Sequence, residues 1–164
     1  MTPVRILGID PGSRFCGYGV VERVAAGRVR YIECGVLEPR RTGSLPARLA
    51  EIADGLREVF DELKPQAVAV EGVFHGVNAR SALQLGHARG VALLLAGERD
   101  LAVFEYAPAT VKRSVAGSGA ATKPQVQSIV RMLCSLKTAP RLDASDALAV
   151  AICHAFRLRQ LALP

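Results

Sequence analysis

Three short apolar segments follow one another at the beginning of the chain, and this grouping restricts the fold more than any other feature. "VRILGID" is followed after one turn by "YGVVERV" and then by "RVRYIECGVLE", each at the distance of a hairpin. Short apolar runs that are separated by turn residues are typical of consecutive antiparallel strands. We therefore expect the fold to begin with a three-stranded antiparallel sheet.

The rest of the chain alternates between helical and strand patterns. Apolar side chains recur every three or four residues from Ser44 to Lys64, which predicts a helix that Ser44 caps and Pro65 ends. The strand "QAVAVEGVF", a helix from Asn78 to Gly97 and the strand "LAVFEYA" follow, and "PATVKRSVA", "PQVQSIVRMLCSL" and "ASDALAVAICHAFRLRQ" are helical patterns. This order predicts an α/β fold, a mixed five-stranded sheet of the ribonuclease H-like type with helices on both faces.

The length and the distribution of apolar residues suit one intracellular domain. A chain of 164 residues can close around a single core, so residues 1–164 are expected to form one domain. The longest apolar runs are too short to span a membrane, and the N-terminus lacks the apolar core of a secretory signal. The four cysteines form no CxxC pair, which favours reduced thiols. We expect a soluble protein without membrane contact.

The charge of the chain indicates a polyanionic partner. The sequence has 21 Lys and Arg against 15 Asp and Glu, which gives a formal net charge of +6. A basic balance favours binding to nucleic acid. With five Phe, three Tyr and no Trp, the chain has few side chains on which single-stranded bases could stack. A duplex or a structured DNA backbone is therefore the favoured partner.

Two acidic residues end predicted strands, and two more share a predicted helix. Asp10 directly follows the apolar "LGI", and Glu71 directly follows "AVAV". The carboxyl ends of strands form the binding crevice in α/β sheets. Asp143 and Asp146 are three residues apart and lie on one face of the last predicted helix. If the two strands are parallel neighbours, all four carboxylates can meet at this crevice.

Four carboxylates in one small volume indicate a metal site. They repel one another unless some are protonated or a cation binds between them. Ligands that offer only oxygen favour Mg²⁺ or Mn²⁺ over zinc and copper. Two such ions about 4 Å apart can hold the attacking water and the leaving oxygen of a phosphodiester in line. The sequence therefore predicts metal-dependent phosphoryl transfer.

Each acid also has a simpler interpretation. Asp143 or Asp146 could cap the last helix, and Asp10 before Pro11 could open a turn. Glu71 is harder to explain in this way, because an acid at the end of a buried strand seldom lacks a partner. The four acids together favour the metal site.

Longer motifs connect the chain to a known family. "LGIDPGSRFCGYGV", "AVAVEGVF", "NARSALQLGHARGVAL", "VFEYAPATVKRSVAGSGAATKPQVQSIVR" and "DASDALAVAICHA" resemble, in order, the segments of the RuvC Holliday junction resolvases. The resemblance implies a homodimeric endodeoxyribonuclease that depends on Mg²⁺, with Mn²⁺ as a substitute, and that makes two symmetric nicks across a four-way DNA junction. It also implies partners of the RuvA and RuvB type, which carry out branch migration, and a cytoplasmic location.

The resemblance also assigns roles to individual residues. The catalytic and metal-binding acids of the family correspond to Asp10, Glu71, Asp143 and Asp146. Its DNA-contacting residues correspond to Phe74, Lys112 and Lys123. Without the family, the two lysines would be interpreted as solvated surface residues and Phe74 as a core residue. Lys112 and Lys123 can reach a phosphate near the acids, and Phe74 can act as a wedge at the crossover.

Two alternative functions are compatible with the sequence, and one stripe of small residues has two possible contacts. The chain could be an actin-like ATPase in which "DPGSRFCG" binds phosphate, although it is too short for two lobes, or a junction-binding protein without cleavage activity. Ala82, Gly86 and Gly90 recur at four-residue intervals on one predicted helix. This stripe could contact a second subunit, but packing on the chain's own sheet is the favoured interpretation. His154 is expected to be a packed or surface residue and not a ligand.

Overall fold

The computed structural model describes residues 3–72 and 79–161, without the side chains of residues 81 and 159–161. Within this part of the chain the strands are β1 (Val4–Asp10), β2 (Cys16–Ala25), β3 (Arg28–Leu37), β4 (Ala67–Glu71) and β5 (Val103–Tyr106). The helices are α1 (Leu45–Leu63), α2 (Ala79–Gly97), α3 (Pro108–Ala116), α4 (Lys123–Leu133) and α5 (Leu142–Leu161). The predicted order of strands and helices is confirmed.

The strands form one mixed sheet in the order β3-β2-β1-β4-β5. Strand β2 pairs antiparallel with both β1 and β3, and β4 pairs parallel with both β1 and β5. Strand β4 is shorter than predicted, because it ends at Glu71. The amide of Gly72 still donates to the carbonyl of Tyr106, at 2.9 Å. The predicted mixed five-stranded sheet is therefore confirmed.

Side chains that alternate along the strands form a separate core on each face of the sheet. Leu7 and Ile9 of β1 point to the face that α1 and α2 cover, whereas Ile6 packs with residues of α3, α4 and α5. All three side chains are fully buried. Burying a side chain of this size stabilises a fold by about 1.5–3 kcal/mol. The predicted arrangement of helices on both faces is confirmed.

Helix α1 has the ends that its sequence predicts. The hydroxyl of Ser44 accepts a hydrogen bond from the amide of Ala47, at 3.4 Å, which satisfies one of the free N–H groups of the first turn. At the other end Lys64 has a left-handed conformation, with φ of 46°, and Pro65 follows it. No helix in the described ranges is long and apolar enough to cross a membrane.

The expectation that the Ala82, Gly86 and Gly90 stripe packs on the sheet is wrong for the two glycines. Both are exposed, and a Cβ added to either would meet no atom within 4 Å. The face of α2 that is buried instead carries Ala88, Ala92 and Leu95. Because α2 is apolar around most of its circumference, spacing alone does not indicate which side faces the core.

Helix α5 lies directly on the backbone of β1 and β2. A Cβ added at Gly8 would overlap the carbonyl oxygen of Ala147, and one added at Gly17 would overlap that of Asp143. Only glycine permits this distance between strand and helix. The contact places the first two turns of α5 above the carboxyl end of β1, which is the edge where Asp10 lies.

We expect Gly8→Ala to destabilise the protein by about 1–3 kcal/mol or more, because the added methyl group must push α5 away from β1. Urea unfolding followed by circular dichroism measures this change. Gly97→Ala is the control, since no atom lies within 4 Å of a Cβ at that position; its effect should stay within about 0.5 kcal/mol. Equal stabilities for the two variants would contradict the close contact.

Candidate active site

Asp10 and Glu71 are brought together by the pairing of β1 with β4. The two strands are parallel, with Gly8 opposite Ala69 and Ile9 opposite Val70. One further step in this register places Asp10 level with Glu71, and both side chains are partly buried. Residues two apart in a strand face the same side, so both acids lie on the side of Gly8, under α5. The predicted neighbouring strand ends are therefore present.

Helix α5 adds the other two acids to the same place. Burial raises the pKa of Asp10 to about 7, with further contributions from the negative charges of Asp146, Glu71 and Asp143, while Lys123 acts in the opposite direction. Charges affect a pKa in this way only when they lie near the group. We call Asp10, Glu71, Asp143 and Asp146 the acid cluster.

The position of the two α5 acids also bears on their alternative interpretation as caps. The helix begins at Leu142, so Asp143 and Asp146 both lie inside it. A capping side chain belongs to the residue that precedes the first helical residue. Neither acid therefore has the position of a cap, although Asp143 is in the first turn, where the helix dipole favours a negative charge.

The two predicted lysines lie beside the acid cluster. Lys123 Nζ donates to Asp146 Oδ2 at 3.2 Å, and the Lys123 side chain is 64% exposed. Lys112 and Lys123 line a cavity of about 180 Å³ together with Glu71 and Asp146. Burial, followed by the charge of Asp146, raises the pKa of Glu71, and the two lysines oppose this shift. The charge of Asp146 is also the main cause that raises the pKa of Lys123, which keeps its ammonium group protonated.

The donor set of the acid cluster fits a hard divalent cation. Its atoms are carboxylate oxygens, and the pKa of Asp10 is raised first by burial and then by the negative charges of the other three acids, a combination that a bound cation would relieve. Among the described residues, no three His, Cys, Asp or Glu side chains are already arranged around a common metal position. Since Lys123 is bonded to Asp146, ion binding requires these side chains to rearrange.

Six of the seven predicted site residues thus lie around one place, and the seventh, Phe74, lies outside the described residues. His154 is packed as expected. It is fully buried, its Nδ1 is 2.6 Å from the hydroxyl oxygen of Tyr106, and burial lowers its pKa to about 4. Gly8 and Gly17, whose lack of a side chain lets α5 lie on the sheet, were not predicted from the sequence. Glycine within a predicted strand was the available signal.

Comparisons with known proteins agree with this geometry. The family model described as "Crossover junction endodeoxyribonuclease RuvC" matches residues 6–154. A protein of that name from Bdellovibrio bacteriovorus is 48% identical over 158 residues, which are 96% of this chain and 94% of the relative. The relative from Syntrophotalea carbinolica is 49% identical over 160 residues, which are 96% of this chain and 99% of that protein.

Solved structures show the same fold. The structure of Thermus thermophilus RuvC has a TM-score of 0.86 and 36% sequence identity, and the match covers 96% of each chain. The structure described as T. thermophilus RuvC in complex with Holliday junction substrate has a TM-score of 0.88, with the same identity and coverage. The predicted ribonuclease H-like fold is confirmed.

The raised pKa of Asp10 predicts that the metal-free protein is destabilised as the pH rises. In the unfolded chain the pKa of Asp10 is near 3.8, the ordinary value for an aspartate, but in the folded protein it is raised to about 7. The folded state therefore binds an extra proton between these values, and stability falls as the pH increases through this window. Above pH 7 the full penalty applies.

We therefore expect Asp10→Asn, which removes this ionisation, to stabilise the protein in EDTA by about 1–3 kcal/mol more at pH 8 than at pH 4. Urea unfolding at the two pH values measures the difference. The matched control is Asp54→Asn, which changes an exposed acid of α1 and should show a much smaller pH dependence. If the gain from Asp10→Asn is the same at both pH values, the pKa of Asp10 is not raised by burial and by the neighbouring acids.

Proposed function

The chain belongs to the RuvC family of crossover junction endodeoxyribonucleases, and from this membership we propose that it resolves four-way (Holliday) DNA junctions by paired, symmetric nicks. Membership of this nuclease family implies a divalent metal ion. The convergence of the acid cluster at the carboxyl end of β1 and β4 is the observation that supports hydrolysis most strongly. The alternative is a junction-binding protein without cleavage activity. A nicking assay on a synthetic four-way junction distinguishes it from a nuclease.

We assign the metal to Mg²⁺, with Mn²⁺ as a substitute, and its ligands to Asp10, Glu71, Asp143 and Asp146. When bound, a divalent ion would act as a Lewis acid toward the phosphate and would lower the pKa of a bound water. The fold supplies the fixed backbone positions of the ligands, two at strand ends and two on α5. Burial of Asp10 and Glu71 lowers the local dielectric constant, which strengthens their attraction to a cation.

The lysines beside the acid cluster have a different role from the acids, which is to bind the phosphates of DNA. A cluster of carboxylates repels the phosphates of DNA, so substrate binding needs positive charge beside it. Lys112 and Lys123 supply this charge from one side. Because Lys123 is largely exposed, it can leave Asp146 and donate to a phosphate oxygen when the acid cluster is neutralised by a cation. Phe74 stays a prediction as the residue that contacts unstacked bases at the crossover.

We also propose that the protein acts as a homodimer and that the exposed face of α2 is the contact. Two symmetric nicks on a twofold junction require two sites related by a twofold axis. Leu83 and Leu94 are 63% and 60% exposed, and Gly86 and Gly90 lie on the same side of the helix between them. An exposed apolar stripe of this kind is typical of a surface that another chain covers.

The remaining proposals concern the setting of the protein. We propose that residues 1–164 form a single nuclease domain, that it acts in the cytoplasm, and that it cooperates with branch-migration proteins of the RuvA and RuvB type. The family membership supports these three proposals.

Removal of one metal-binding carboxylate should separate cleavage from binding. We expect Glu71→Gln to lower the rate of Mg²⁺-dependent nicking of a synthetic four-way junction by about 10²-fold or more, since a ligand of the ion is lost. Junction affinity without divalent ions, measured by gel shift, should change less than about threefold, because phosphate contacts belong to other residues.

Glu62→Gln is the matched control for this experiment, since Glu62 is an exposed acid near the end of α1; it should cleave like the wild type. Plain duplex DNA of the same length is the control substrate and should stay uncut. A wild-type protein that binds the junction but never nicks it would contradict the nuclease proposal and support the alternative. Loss of binding in Glu71→Gln would contradict the division between cleavage and binding residues.

The dimer contact can be tested by substituting charged residues for the exposed leucines of α2. We expect the double variant Leu83→Glu with Leu94→Glu to sediment as a monomer at a micromolar concentration at which the wild type sediments as a dimer, because four buried carboxylates would repel across the interface. Met132→Glu is the control, since Met132 is an exposed apolar residue of α4 outside this face. A double variant that stays dimeric would place the contact elsewhere, and a monomeric wild type would contradict the homodimer.

A further inference from the structure

A groove lined by arginines begins beside Asp143 and leads away from the acid cluster. It consists of two adjoining cavities of about 330 Å³ and 400 Å³, which have Arg14, Phe15 and Arg48 in common. The inner cavity reaches Asp143 of α5, and the outer cavity extends to Arg41 and to Glu38, which follows β3. We call the two cavities together the arginine groove.

The arginine groove carries an excess of positive charge. Arg14 and Arg41 are exposed, whereas Arg48 is partly buried, and its Nε has no hydrogen-bond partner among the described residues. A buried guanidinium nitrogen without a partner is costly and indicates a group that an acceptor can satisfy. Glu38 is the carboxylate that lines the outer cavity, and Arg141 forms an ion pair with it. The three lining arginines are therefore available to an anion.

The exposed ring of Phe15 distinguishes this groove from a simple anion site. Phe15 is 44% exposed and lines both cavities, and the guanidinium carbon of Arg141 lies 5.4 Å from its ring centre. A small anion such as free phosphate makes no favourable contact with an aromatic surface. A nucleotide unit has both a phosphate for arginine and an apolar sugar or base face for phenylalanine.

The turn that carries Arg14 and Phe15 is firmly placed relative to the acid cluster. It begins directly after Asp10, and a Cβ added at Gly12 would overlap the carbonyl oxygen of Phe15, so the backbone folds back closely on itself. Cys16, the next residue, is fully buried at the start of β2. Both side chains therefore project from a short segment that is fixed at its two ends by β1 and β2.

We propose that the arginine groove binds the sugar-phosphate backbone of the DNA strand that continues past Asp143, with Phe15 against a nucleotide sugar or base. The inference rests on the proposed function and extends it, because it names a second DNA contact. Lys112 and Lys123 hold the strand on the side of Asp146, and the arginine groove holds it on the side of Asp143. A strand held on both sides of the acid cluster keeps one phosphate at the acids and cannot slide.

The salt dependence of junction binding measures such contacts directly, because each neutralised phosphate on duplex DNA contributes about 0.9 to the slope of log K against log salt concentration. We expect Arg14→Gln with Arg41→Gln to lower this slope by about 1.8 in the absence of divalent ions. The matched control Arg28→Gln with Arg57→Gln removes two exposed arginines that line neither cavity and should keep the wild-type slope. Arg14→Lys with Arg41→Lys keeps the charges and should restore most of it.

Two further variants separate the parts of the proposal. Phe15→Ala should weaken binding by about tenfold without changing the slope, since stacking carries no charge. Lys112→Ala with Lys123→Ala should lower the slope independently of the groove variants, and the two effects should add. All exposed-site variants should melt like the wild type; if the double arginine variant does not, Arg41→Gln alone should lower the slope by about 0.9.

The outcomes distinguish this inference from the proposed function. If the wild type binds and nicks the junction and the lysine variant loses slope, but Arg14→Gln with Arg41→Gln keeps the wild-type slope, the arginine groove does not contact DNA. The same conclusion follows if the Arg28 and Arg57 control loses as much slope as the groove variant. If the wild type neither binds nor nicks the junction, the proposed function itself is wrong, and the inference falls with it.

Discussion

The contact between the backbone of α5 and the glycines of β1 and β2 determines where the four acids of the acid cluster lie. Because Gly8 and Gly17 have no side chains, the first turns of α5 lie against the sheet, and Asp143 and Asp146 are held above the strand end that carries Asp10. Apolar burial further along α5 supports this arrangement, since Leu148 and Ile152 are fully buried. The packing of α5 offsets the repulsion between its acids and those of the strands.

The charges around this contact have a definite order. The acid cluster is in the centre, Lys112 and Lys123 lie beside Asp146, and the arginine groove begins beside Asp143. In the proposed function, the negative charge of the acid cluster would attract a divalent cation, and the positive charges beside Asp146 and Asp143 would attract the phosphates that flank the bond to be cut. The chain has a net charge of +6, yet it gathers four partly buried acids in one place. The proposed function thus assigns metal binding and DNA binding to different residues.

Local features of the sequence predicted most of the fold, but spatial relations were harder to predict. Runs of apolar residues, the Ser44 cap and Pro65 are signals that act within a few residues. The positions of the strands and helices could therefore be predicted from them. The meeting of Asp10 with Glu71 depended on β1 and β4 being neighbours, which the motifs of the family supplied and local pattern did not. The stripe of α2 was assigned to the wrong side, because small apolar residues have the same spacing whether they face a sheet or solvent. The arginine groove was missed because its side chains come from separate elements.

Anomalous diffraction from crystals soaked in Mn²⁺ tests most directly whether the four acids form one cation site. We expect a peak between the side chains of Asp10, Glu71 and the two aspartates of α5, and we expect it to disappear in crystals of the variant that combines Asp10→Asn with Glu71→Gln. A peak at another position, or an unchanged peak in that variant, would show that the packing of α5 on β1 does not build a metal site.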